Sequence, residues 1–180
     1  MHEGYGWLTG CEIEKQIMEG KIIIQPFDRA CLNPNSYNYH LGDRMMRLVN
    51  DCIDMRKKDE FEEFTIQADG SVLYPGECYL GVTQEIFGSD YFASLITGRS
   101  SVGRKFVTNH ITAGLIDQGF RGRITLEITV QKPTIVYPNI IFGQIFWFSV
   151  MGKPNLYHGK YQNQAEATIS QIFRECGTDG

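Results

Sequence analysis

Cysteine is scarce and unpatterned in this chain: the five thiols, at Cys11, Cys31, Cys52, Cys78 and Cys176, are odd in number, widely scattered and never arranged as CxxC. That excludes a disulfide framework and a zinc cluster as the organising principle, and leaves reduced, mostly buried thiols as the expectation. The four histidines, His2, His40, His110 and His158, are equally dispersed, with no HxxxH and no HxE near a cysteine pair, so no protein-held transition metal is expected. No apolar run reaches the ~18 residues of a membrane span, because the richest stretch, Ile135 to Met151, is broken by Pro138, Asn139, Gly143 and Gln144. A basic-then-apolar leader is also missing; the N-terminal stretch carries Glu3, Glu12 and Glu14, and a cytoplasmic location is expected. Finally, there is no excess of positive charge. A net charge of -4 disfavours a surface that coats nucleic acid, while leaving room for a local basic pocket.

What is present suffices for one core. With 180 residues, 42% hydrophobic and 21% charged, the chain is sized for a single domain over 1–180. Thr9 with Glu12 forms a capping box, Ile13 and Ile17 give an apolar stripe, and Gly20 supplies a stop, which predicts one short helix. KIIIQPF then reads as a strand, and Ala30 to Ser36, with Asn33, Pro34 and Asn35, as a loop. Strand-like runs recur after it: YNYHL, a hairpin around Ala68-Asp69-Gly70, a Pro75-Gly76 turn into CYLGVTQEIF, then YFASLIT, RITLEITV, TIVY and IIFGQIFWFSV. Short strands punctuated by Gly and Pro turns predict an all-β sandwich, barrel or jelly roll. The mixed-sign cluster Arg56 to Glu63 reads as a solvated loop or edge. From 153 to 180 the chain turns polar and rich in Gly, Asn, Gln and Tyr, as a surface tail or lid would be.

Three segments carry candidate chemistry. In TGRSSVGRKFV, Arg99 and Arg104 offer planar forks to phosphate oxygens, Ser100 and Ser101 offer donors, and Gly98 and Gly103 permit close approach. A surface turn carrying arginines is the alternative, and the Walker pattern is absent. In HITAGLIDQGFRGRITLEI, Asp117 falls in a Gly-flanked turn and Glu127 in a strand. There Ile124, Leu126 and Ile128 share one face, and Arg123, Thr125, Glu127 and Thr129 the other. The polar face is either open surface or the lining of a pocket, and in the second case burial would raise the Glu127 pKa towards the range useful for acid-base work. In LYHGKYQNQAEATIS, Tyr157, Lys160 and Gln164 suit a base and a phosphate, or simply a solvated tail.

In this order, the segments resemble the dCTP deaminase family of the dUTPase-like superfamily. The helix leading into GKIIIQPF and NPNSYNYHLGD is similar to that family's opening, with Asn38 where its motif usually carries Asp. GRSSVGR, TAGLIDQGF and ITLE follow at similar spacings, and GQIFWF resembles its GQL-type strand, with Gln144 as the polar member. YHGKYQNQ resembles its closing lid, with a shorter stretch between Tyr157 and Lys160.

The resemblance implies a β-clip, or distorted jelly-roll, homotrimer with a short N-terminal helix and three sites between neighbouring subunits. Carried over by position, it implies that Arg99, Ser100, Ser101, Val102, Gly103 and Arg104 meet the triphosphate or the reacting water, and that Asp117 holds the deoxyribose 3′-hydroxyl. Thr125, Leu126 and Glu127 would read the cytosine edge, with Glu127 moving protons, while Gln144, Tyr157, Lys160 and Gln164 complete the pocket. Ser100 and the Ala113 carbonyl would orient the water, and Arg104 would hold nearby charge. Mg2+ would arrive on the triphosphate of dCTP. Zinc is not implied, since the HxE and PCxxC-type ligands of zinc deaminases are absent from the sequence. The family also implies dTTP as a feedback inhibitor.

Members of the family that stop at dUTP tend to carry His-Arg after the TA dipeptide, and dUMP-forming members carry Gly and a bulky apolar residue. Gly114-Leu115 is similar to the second group. It implies deamination followed by pyrophosphate release, with Asp117 also placing a water for in-line attack at the α-phosphorus. The alternatives are a deaminase that stops at dUTP, a plain dUTPase accepting dUTP alone, and a regulatory relative without turnover. Against a plain dUTPase stand Glu127 itself, Arg123 in place of an acid, and Phe120 in place of a tyrosine.

Overall fold

Thr9 starts the first regular element. Its hydroxyl accepts the Glu12 N–H at 3.3 Å and opens the helix Gly10–Met18. The box is half closed, because the Glu12 carboxylate turns to Gln16 Nε2 at 2.6 Å. At the other end the N–H groups of Gly20 and Lys21 return to the carbonyls of Ile17 and Gln16, at 3.0 and 2.9 Å, with Gly20 at φ +70°. These are the two bonds of a Schellman motif. Ile13 is buried and Ile17 packs against the core, as the stripe requires.

The computed structural model describes residues 6–176; His2, Glu3 and residues 177–180 of the tail lie outside the described residues. Beyond the helix the described chain is mostly β, and its strand ladders are antiparallel. One five-stranded sheet runs, in spatial order, Val107–Thr108, Thr125–Val130, Tyr79–Val82, Arg44–Leu48 and Phe61–Thr65. The second runs Leu115–Ile116, Phe92–Gly98, Ile141–Ser149, Ser36–His40 and Leu32–Asn33. Ile23–Gln25, Ile86–Gly88 and Arg121–Gly122 form a smaller sheet, and Ser71–Leu73 pairs with Thr134–Val136. Both large sheets face one core: Met45, Tyr79, Leu126 and Ile128 come from the first, and Tyr37, Tyr39, Phe142 and Trp147 from the second. Each such side chain adds about 1.5–3 kcal/mol by leaving water. Among the described residues no helix is long and apolar enough to cross a membrane.

The architecture is the mostly-β one expected, with local departures. Ala30 to Ser36 is a 3-10 turn followed by a tight hairpin in which Leu32 faces Tyr37 and Asn33 faces Ser36. The turn at Ala68-Asp69-Gly70 joins strands that do not pair: Phe61–Thr65 lies beside Arg44–Leu48, and Ser71–Leu73 crosses to Thr134–Val136. CYLGVTQEIF is two strands in different sheets. Between them the buried Glu85 takes the His40 N–H at 3.0 Å and faces His40 Nδ1 at 2.6 Å, fixing the crossing. The Phe61–Thr65 strand is a charged edge, where Arg44 and Arg47 meet Glu63 and Glu62. The thiols are the main correction at this level: only Cys31 is buried, and Cys11, Cys52, Cys78 and Cys176 are exposed, because loops, element ends and the outer helix face carry them.

Candidate active site

The Thr125–Val130 strand alternates as its sequence requires. Leu126, Ile128 and Val130 are buried, while Thr125, Glu127 and Thr129 are half-buried on the other face. That face is not open surface. Through Thr125 and Glu127 it lines a cavity of about 440 Å3, a size suited to a small ligand. His110 and Ala113 come from the loop after Val107–Thr108, Leu115 from the short Leu115–Ile116 strand, Asp117 and Phe120 from the turn after it, and Ile124 from just before Thr125–Val130. Tyr157, Tyr161, Gln164, Thr168 and Ser170 come from the tail.

Hydrogen bonds from main-chain N–H groups bring the tail there. The Tyr157 N–H donates to the Gln118 carbonyl at 2.7 Å, the Arg123 N–H to the Gln164 carbonyl at 2.9 Å, and the Thr168 N–H to Thr125 Oγ1 at 3.0 Å. Gly119 makes the approach possible. It sits at φ +89°, and a Cβ there would stand 2.7 Å from Leu156 Cβ and 2.8 Å from the Tyr157 nitrogen.

Glu127 Oε2 lies 2.5 Å from His110 Nδ1 and accepts the Ile111 N–H at 3.1 Å. The contact with the ring is an ion pair when His110 is protonated, and its direction departs from an in-line hydrogen bond, so neither buried nitrogen of His110 has a well-aligned partner. Burial by itself pushes the Glu127 carboxyl upward, but His110 and the Ile111 N–H outweigh it and hold the group below the ordinary carboxylate value. This reverses the direction expected from burial alone. The carboxylate is therefore ionised at neutral pH. Reciprocally, Glu127 raises the His110 pKa above its ordinary value against desolvation, with the Ala113 carbonyl adding in the same direction.

Of the residues singled out in the sequence, the fold gathers Ala113, Leu115, Asp117, Thr125, Glu127, Tyr157 and Gln164 around the cavity. Gly114 stands just behind. Its carbonyl accepts the Ile96 N–H at 2.9 Å, and a Cβ there would stand 2.6 Å from the Ile96 carbonyl oxygen, so packing alone requires glycine. Leu126 points the other way, fully buried in the core, which leaves only its backbone for any ligand. Arg99, Ser100, Ser101, Val102, Gly103 and Arg104 form a short helix, Ser100–Gly103 with its flanks, outside this lining. Ser100, Ser101, Gly103 and Arg104 are exposed there. Gln144 lies on the second sheet, where its Oε1 accepts Ser36 Oγ–H at 2.9 Å, and Lys160 pairs with Glu175 on the surface.

His110, Tyr161, Thr168 and Ser170 line the cavity without having been singled out. A register signal for His110 does exist. Thr108 faces Thr129 across the ladder, and continuing that register by two residues brings His110 opposite Glu127.

Residues 7–150 match the family model described as dCTP deaminase-like. A relative from Clostridium beijerinckii, named dCTP deaminase, dUMP-forming, is 40% identical over 169 residues, covering 93% of this chain and 97% of its own. Relatives of the same name from Hathewaya histolytica and Cytophaga hutchinsonii are 40% and 38% identical over 169 residues, each across 93% of this chain and 98% and 97% of their own. The crystal structure of 2′-deoxycytidine 5′-triphosphate deaminase from Agrobacterium tumefaciens shares the fold, with a TM-score of 0.66 at 20% identity, over 81% of this chain and 49% of that one. By sequence over most of its length and by fold, the chain belongs to the dCTP deaminase-like family.

Proposed function

We propose that the protein hydrolyses dCTP first to dUTP and ammonia, then to dUMP and pyrophosphate, in the cytoplasmic nucleotide pool. The observation that carries this reading is Glu127, an ionised carboxylate on the wall of a cavity of about 440 Å3 with Thr125 and Ala113 beside it. Relatives about 40% identical that are named dCTP deaminase, dUMP-forming support it.

In the first step a water attacks cytosine C4 as Glu127 takes its proton. The carboxylate passes that proton to ring N3, then takes the remaining proton from the new C4–OH and delivers it to the amino group, so that the C4–N bond breaks, ammonia leaves and the C4 carbonyl of uracil forms. Thr125 and Gln164, already in contact at 3.2 Å, hold the pyrimidine edge. In the second step Asp117 orients a water for in-line attack on the α-phosphorus, and the bond to the β-phosphate breaks. Mg2+ would arrive on the triphosphate rather than on protein ligands, and would supply neutralisation of the charge that develops on the phosphate oxygens.

The triphosphate needs cations, and the described lining holds no lysine or arginine. The Arg99–Arg104 turn meets that need from a neighbouring copy in a homotrimer, with Ser100 on the attacking water, and Gln144 completes the pocket there. The tail from 153 onward acts as the lid, Lys160 exchanging Glu175 for phosphate. dTTP competes for the same pocket as feedback inhibitor.

Purified protein given dCTP and Mg2+ is expected to release ammonia and pyrophosphate in equal amounts. Ammonia alone limits the reaction to dUTP, and pyrophosphate from dUTP without ammonia from dCTP makes the protein a plain dUTPase.

A further inference from the structure

Asn109 is nearly fully buried and lies outside the cavity lining. Its Nδ2 donates to Tyr39 Oη at 2.6 Å and to the Thr97 carbonyl at 3.2 Å. Asn109 follows the Val107–Thr108 strand of the first sheet, whereas Tyr39 and Thr97 sit on strands of the second, so one amide ties the two sheets together. The fit is tight. A Cβ at Gly143 would stand 2.5 Å from Asn109 Nδ2, and one at Gly98 would stand 3.0 Å from Asn109 Oδ1. On one side of the tie, Thr97 leads through Gly98 to the Arg99–Arg104 turn; on the other, Asn109 leads directly to His110, whose Nδ1 faces Glu127.

We infer that Asn109 is a positioning residue: by anchoring its loop to Tyr39 and Thr97, it holds the His110 ring against the Glu127 carboxylate. A buried amide with both donor directions used fixes a backbone position, because an unmade bond there leaves a desolvated group without a partner. Small displacements of an acid-base group weigh heavily on rate, about 10²-fold for an ångström. The catalytic consequence rests on the proposed deamination; the placement of His110 does not.

The test follows the His110 ring by NMR titration of the full chain, with its signal assigned by loss in His110→Gln. In the wild type it is expected to titrate above the ordinary value of 6.5, because Glu127 favours the charged ring. The midpoint is expected to fall in Asn109→Ala, which loses both of these bonds, and to fall less in Tyr39→Phe, which loses the Asn109 bond and the Tyr39 Oη–H bond to the Thr97 carbonyl at 3.4 Å but keeps Asn109 tied to that carbonyl. With dCTP, kcat is expected to drop by up to about 10²-fold in Asn109→Ala, with KM little changed. The acid limb of its pH profile moves to higher pH as Glu127 loses its cationic neighbour. The other ionisable groups sharing the cavity are Asp117, Tyr157 and Tyr161, with Tyr39 behind the loop, and both substitutions leave the first three in place. An unchanged His110 midpoint in the folded variants overturns the inference, as does a fall in kcat with an unmoved midpoint and pH profile. If Asn109→Ala does not fold, Tyr39→Phe, which keeps the ring in the core, decides alone. A wild type that gives no ammonia overturns the functional reading instead, and the titration still decides the placement.

Discussion

His110 and Glu127 face one another across the continuation of an antiparallel ladder, with Nδ1 and Oε2 2.5 Å apart, and each stabilises the other's charge. The imidazole is held protonated to higher pH than usual and the carboxylate is held ionised to lower pH than usual.

A window of pH dependence follows from those two directions. The contribution of His110 is complete below its ordinary value of 6.5 and is lost as pH rises through its raised value. That of Glu127 is complete above its ordinary 4.5 and is lost as pH falls through its lowered value. The pair therefore stabilises fully between 4.5 and 6.5. Solvent reaches about a third of the Glu127 side chain and screens part of the effect. The gap in thermal midpoint between wild type and His110→Gln is expected to be widest in that window and to narrow on both sides. A gap of constant size would show that the pair adds nothing.

Glu127→Gln tests the chemistry with the fold intact. The amide oxygen still accepts the Ile111 N–H, so thermal stability near neutral pH and nucleotide binding are expected to change little beyond the loss of the ion pair. An amide cannot carry the proton from water to N3, and ammonia release from dCTP is expected to fall by at least about 10²- to 10⁴-fold. Ammonia release at the wild-type rate would remove Glu127 from the mechanism. Pyrophosphate release from dUTP, assayed on the same variant, separates the two steps.

Asn38→Asp restores the acid usual in the resembling motif, at a cost. Asn38 is buried and exchanges amide bonds with Asn33, accepting from Nδ2 at 3.0 Å and donating to Oδ1 at 3.3 Å. A carboxylate cannot donate the second bond, and its charge would be desolvated. Unfolding by urea at neutral pH is expected to show a loss of about 1–3 kcal/mol. Burial raises the pKa of the new acid, so part of the loss is expected to return as pH falls and it protonates. Unchanged stability would mean that the Asn33 amide reorients to serve it.

The Glu127 face was legible because RITLEITV alternates strictly, and the helix because Thr9 and Gly20 bracket an apolar stripe. The reversal at Asp69-Gly70 was misread for a physical reason: turn residues specify a change of direction, and strand pairing is then settled by distant partners such as Thr134–Val136. His110 carries no periodic signal of its own. Only the two-residue ladder of Val107–Thr108 with the Glu127 strand gives it a position. That ladder, too, is why burial alone gave the wrong direction for the Glu127 pKa. The arginine-serine turn was legible in composition, yet composition does not say which cavity it faces, and within this chain it lies outside the one Glu127 occupies.

That separation leads to a complementation experiment. If the turn of one copy serves the Glu127 cavity of another, Glu127→Gln and Arg104→Ala damage different halves of the same site. Each is expected to be nearly inactive alone, Arg104→Ala through lost phosphate contacts. Mixed trimers refolded from equal amounts contain some interfaces where an intact Glu127 meets an intact Arg104. With random assembly about a quarter of the sites are of this kind, and ammonia release is expected to recover to about that fraction of wild type. The neighbour of each repaired site carries both substitutions, so recovery cannot exceed the share set by mixing. Activity that stays at the level of the separate variants, in trimers shown to contain both chains, would place Arg104 and Glu127 in the same copy or remove Arg104 from the site.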